Sequence, residues 1–116
     1  MAINKKLIVV FYSTTSRREP VREWLKSLSK DDKKEIGEDI KTVQYGWPIG
    51  MPMVENLGEG LWEIRTTLKD RISRVIIAVE DDKIILLDGF IKKTQKTPKD
   101  DLRLARKRLR EIRGKK

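Results

Sequence analysis

The chain contains neither cysteine nor histidine. Without cysteine there is no disulfide, no thiolate metal site and no cysteine nucleophile. With both residues missing, a zinc enzyme is close to excluded, and so are the Ser-His-Asp and Cys-His hydrolytic machines. Long apolar runs are missing too. The stretch Leu7–Tyr12 is the longest early one, and it is too short for a signal-peptide core or a membrane span. These absences predict a soluble, cytoplasmic protein with no membrane partner and no metal or cofactor.

What the chain has in excess is positive charge. Its 116 residues suit one domain spanning 1–116. A chain of this length buries roughly two-thirds of the surface exposed when unfolded, enough to fold without staples. Lys and Arg number 27 against 18 Asp and Glu, a net charge of +9. Residues 1–58 carry ten basic and eight acidic side chains, whereas 59–116 carry seventeen and ten. From Lys92 onward twelve basic residues face three acidic ones, so this region alone matches the net charge of the whole. Such a concentration points to a polyanion, nucleic acid first and an anionic membrane second. The bland alternative is a solvated surface.

Leu7–Tyr12 is β-branched and aromatic and reads as a buried strand. Pro20 suits the first position of a helix, and Val21, Trp24, Leu25 and Leu28 form its apolar face. Ser29 with Asp32 restarts the pattern as a capping signal. Ile36, Ile40 and Val43 continue it to Gly46, which predicts a helical hairpin. Gly46–Gly60, with four Gly and two Pro, reads as an irregular connection pinned to the core by Trp47, Met51 and Met53. Leu61–Leu68, Ile72–Val79 and Lys83–Leu87 read as strands close enough in sequence to form an antiparallel meander. Thr97 as cap, with Pro98 behind it, starts a last helix. Leu102, Ala105, Leu109 and Ile112 form its apolar stripe. The order β-α-α-β-β-β-α predicts an α+β fold, an antiparallel sheet with helices packed on one face.

Chemistry concentrates on the first hairpin. With its turn centred between Lys69 and Asp70, Arg65 stands directly opposite Arg74, and Glu63 opposite Ile76. Like charges placed so are destabilising. Either Glu63 neutralises them in a surface ion-pair cluster, or they serve an anion such as phosphate, which the arginine fork binds bidentately. Phe90, Lys92, Lys93 and Lys96 follow the third strand as a loop in which an aromatic sits among cations, the combination that holds single-stranded nucleic acid. Lys99, Arg103, Arg106 and Arg110 extend the basic surface along the last helix. The plainer assignment for Phe90 is a core residue.

Three segments, EPVREWLKSL, LGEGLWEIR and LLDGFIKKTQKTPKDDLRLARKRL, resemble the HigB-like toxins of the RelE/ParE superfamily, phage-derived toxins of type II toxin–antitoxin systems. The likeness runs from about Val10 to Leu109 and is most specific in its last segment. It implies a RelE-like fold and a ribosome-dependent endoribonuclease that cleaves mRNA and inhibits translation. It also implies a small helix-turn-helix antitoxin as partner. By position it gives Arg65, Arg74, Lys92 and Lys93 catalytic roles, with Lys96 beside them. Asp88 stands where members often carry a histidine, and Glu55 and Asn56 where a lysine is common.

Cleavage of this kind is attack of a 2′-OH on its own 3′-phosphate. It needs a base, charge stabilisation on the phosphoryl oxygens and an acid for the leaving oxygen. Without histidine, Arg65 and Arg74 are expected to clamp the phosphate, and Lys92 or Lys93 to transfer protons. Glu63 or Asp88 is the less favoured base. Two other classes stay open: a toxin-fold protein that acts by binding, as gyrase-directed members do, and a non-catalytic RNA- or DNA-binding module.

Overall fold

The computed structural model describes residues 7–92 and 98–114. The elements run β1 (Ile8–Phe11), α1 (Pro20–Ser27), α2 (Lys30–Gly46), β2 (Val54–Gly58), β3 (Leu61–Thr67), β4 (Ile72–Glu80), β5 (Lys83–Lys92) and α3 (Lys99–Gly114). Pro20 opens α1, as its fixed φ favours. Ser29 caps α2, its Oγ accepting from the Asp32 amide at 3.2 Å. The Thr97 cap, like Lys93 and Lys96, lies outside the described residues.

The fold is α+β, with three helices on a five-stranded sheet ordered β1-β5-β4-β3-β2. Four expectations need correcting. The sheet is mixed, because β1 pairs parallel to β5 while the other pairs are antiparallel. The Gly- and Pro-rich connection contains a strand, β2, which pairs with β3 and closes on it through a turn at Gly58, Glu59 and Gly60. All three turn residues have positive φ, which glycine adopts freely and Glu59 only at a cost. Trp47 and Met53 do pack on the core, but Met51 is 61% exposed.

The helices also cover both faces, where one was expected. On one face Val21 of α1 and Ile36, Ile40 and Val43 of α2 pack over Ile64, Val75, Ile77, Ile84 and Leu86. On the other, Ala105 and Leu109 of α3 pack over Leu61, Ile76, Ala78, Ile85 and Leu87, with Tyr12. The reason lies in β4 and β5, which are apolar at even and odd positions alike and so must be covered twice. Each fully buried Ile or Leu here contributes about 1.5–3 kcal/mol. The helices α1 and α2 each pack against the sheet, α1 mainly on β5 and α2 on β3. An ion pair from Arg71 to the buried Asp32 ties α2 to the β3–β4 turn.

The first hairpin has the expected register. Leu68 N–H bonds Arg71 C=O at 2.8 Å across the Lys69-Asp70 turn. Arg65 stands opposite Arg74 and Glu63 opposite Ile76. Strand β5 is longer than expected, continuing through Phe90 to Lys92.

Candidate functional site

A bulge in β5 builds the site. Ile77 pairs with Leu86 and Ile76 with Asp88, so Leu87 is the extra residue. Side chains alternate along a strand, and one extra residue shifts that alternation. Leu87 and Asp88 therefore both face α3, and Phe90 and Lys92 follow them onto that face. Phe90 lands opposite Arg74, and Lys92 opposite Ile72. The row Arg65–Arg74–Phe90 thus crosses three strands beside the row Glu63–Ile76–Asp88. Gly89 points the other way. A Cβ there would lie 2.5 Å from the Trp24 ring, so only glycine lets α1 approach this closely.

Both facing arginines pair with glutamates, and Glu63 lies near the two of them. Arg74 donates through Nη1 to Glu63 Oε1, and both side chains are buried. Arg65 donates through Nη2 to Glu55 Oε1, and its Nε lies 3.7 Å from Glu63 Oε1. Glu63 therefore neutralises the pair, as one of the two expected alternatives had it, but in a buried rather than a surface cluster. Only Arg65, with 28% of its side chain exposed, reaches solvent, whereas Arg74 is 5% exposed. The Nε atoms of both arginines are buried without a hydrogen-bond acceptor among the described residues. Each such orphan costs about 1–3 kcal/mol. Burial, and then the Arg74 charge, push the half-buried Lys92 below the usual lysine range, with Arg65 adding to the effect and Glu63 and Glu55 opposing it.

A second polar cluster sits under α3. Arg108 Nη1 donates to Leu87 C=O at 2.6 Å, lies 3.9 Å from Asp88 and stacks over the Tyr12 ring at 5.0 Å. Tyr12 donates its hydroxyl proton to Glu111, and burial followed by that bond raises its pKa. Burial, and then the neighbouring Asp101 carboxyl, push Asp88 up to about 8. Arg108 escaped the sequence reading, although it stands three residues after Ala105 and four before Ile112, on the buried stripe. The pairing of Glu55 with Arg65 escaped it, because nothing short of the β2 register shows that Glu55 faces Glu63 on β3.

Of the expected site residues, the structure brings Arg65, Arg74, Phe90 and Lys92 together. Lys99 and Arg103 are exposed on the first turns of α3, with Arg103 3.5 Å from Asp100. Arg106 pairs with Glu59 and Arg110 lies beside it, at the opposite end of β3 from Arg65. Among the described residues no helix is long and apolar enough to cross a membrane.

Residues 23–110 match the sequence profile of a family described as Phage derived protein Gp49-like (DUF891). The match begins in α1, ends in α3 and takes in Arg65, Arg74, Phe90 and Lys92. No curated protein matches the chain.

Proposed function

The chain belongs to the Gp49-like family of phage-derived proteins, and from that premise we propose that it is the toxin of a type II toxin–antitoxin pair. In this reading the fold is RelE-like. The toxin is a metal-independent endoribonuclease that cuts mRNA on the ribosome in the cytoplasm, and a helix-turn-helix antitoxin restrains it. The observation that carries the reading is Arg65 facing Arg74 across the buried Glu63, with Lys92 on the same sheet face.

The residues then divide the chemistry. Arg65, the exposed member, meets the phosphate and stabilises charge growing on its oxygens. Arg74, tied to Glu63, is a positioning residue whose charge lowers the Lys92 pKa. Lys92, shifted towards neutrality, is the group suited to exchange protons with the 2′-OH or the leaving oxygen. Phe90 packs part-buried against the α3-side core, its plainer assignment, and the rest of its ring lies beside this row for a base to stack on. A site with so few groups relies on the ribosome to orient the RNA.

The test is induced expression in bacteria with primer-extension mapping of mRNA ends. Growth arrest with new ends, lost in Arg65→Ala, is the expected result. The pairing of both arginines with glutamates favours a second reading, a module that binds nucleic acid without cutting. Arrest with no new mRNA ends would select it.

A further inference from the structure

At the far end of the same sheet face, α3 and the β2–β3 turn enclose a cleft of about 420 Å³, lined by Glu59, Arg106, Leu109, Arg110 and Arg113. The three arginines recur at four and three residues, so one helical face presents them all. Arg113 lies across the turn: a Cβ on Gly60 would sit 3.0 Å from its Nη2. It also pairs with Glu80 at 2.7 Å. Arg106 pairs with Glu59, which is 66% exposed and holds it from the solvent side. Arg110 is exposed and has no acidic partner among the described residues.

We infer that this cleft is a second phosphate-binding site, an anchor for the RNA backbone separate from the Arg65–Arg74 site, with Glu59 as the internal competitor an incoming phosphate displaces. The inference rests on the RNA reading above. Glu59 lies in the turn before β3, and from Leu61 to Arg65 the strand alone runs about 13 Å at roughly 3.3 Å per residue. The two sites therefore lie towards opposite ends of β3. Arginine forks match phosphate bidentately. A protein partner would need a buried apolar or aromatic anchor, and Leu109 is the one apolar residue in this lining.

The test is fluorescence anisotropy with a short 2′-O-methyl oligouridine, which lacks the attacking hydroxyl and cannot be cut. Arg106→Ala/Arg110→Ala should bind about tenfold more weakly, and its log–log salt slope should flatten by about 1.4, at roughly 0.7 per lost contact. Glu59→Gln should bind about threefold more tightly, because the competitor is gone. Lys33→Ala/Lys34→Ala removes the same charge from exposed positions on α2 and is the control. Equal losses in the two double variants, or no tightening in Glu59→Gln, would overturn the anchor. So would a poly-glutamate peptide that competes as well as unlabelled RNA, which would reassign the cleft to an acidic protein. The toxin reading is scored separately by Arg65→Ala growth: if that variant still arrests growth while the Glu59 and arginine effects hold, the anchor stands and the nuclease assignment falls.

Discussion

Glu63 and Arg74 form an ion pair in which the carboxylate is fully buried and the guanidinium nearly so, with side-chain exposures of 0% and 5%. Each keeps the other's charge tolerable. Removing one partner of such a pair costs about 3–5 kcal/mol because a bare charge stays behind, whereas replacing both with apolar groups is often neutral. Arg74→Ala should therefore be strongly destabilised in urea unfolding. Arg74→Met/Glu63→Leu should recover most of the loss. A double variant no more stable than Arg74→Ala would show that the pair is not the source of the effect.

Arg65 should behave differently, although it sits directly opposite Arg74. Its pair with Glu55 is partly solvated, at 28% and 37% exposure, and pairs of that kind contribute about 0–1 kcal/mol. Arg65→Ala should keep the wild-type urea midpoint to within that margin. If Arg65 contacts the reacting phosphate, cleavage falls roughly 100- to 1,000-fold. Cleavage near the wild-type rate in a fully folded Arg65→Ala protein would remove it from the site.

Asp88 links stability to pH. Its carboxyl moves from an ordinary 3.8 up to about 8 in the folded protein, so between those values the folded state holds a proton that the unfolded state has lost. The contribution is complete below the lower value and disappears as pH rises through the upper one. The difference in urea midpoint between wild type and Asp88→Asn should therefore move against wild type from about pH 4 to about pH 8. A difference that stays flat over that range would refute the protonated carboxyl.

Gly89→Ala should disturb the contact between α1 and β5. The added methyl would meet the Trp24 ring at 2.5 Å, and such overpacking costs about 1–3 kcal/mol. Thermal unfolding followed by tryptophan fluorescence should show a lower midpoint. An unchanged melting curve would mean that the ring moves aside freely.

Local signals were enough for much of this. The Lys69-Asp70 turn and the β-branched runs around it determined the register that sets Arg65 against Arg74. The same alternation put Trp62, Ile64, Val75 and Ile77 under the first two helices. Pro20 and the Ser29–Asp32 pair marked the starts of α1 and α2. Each of these depends on residues close in sequence, so turn and cap chemistry suffices. Other features required distant segments to meet. Strand β2 has no period of its own and exists because β3 offers it a ladder. The bulge at Leu87, which turns Phe90 and Lys92 to the site face, appears only in the pairing of β5 with β4. Whether Arg74 faced water or lay buried against Glu63 was decided only in the assembled fold, since burial is a property of everything packed around a side chain.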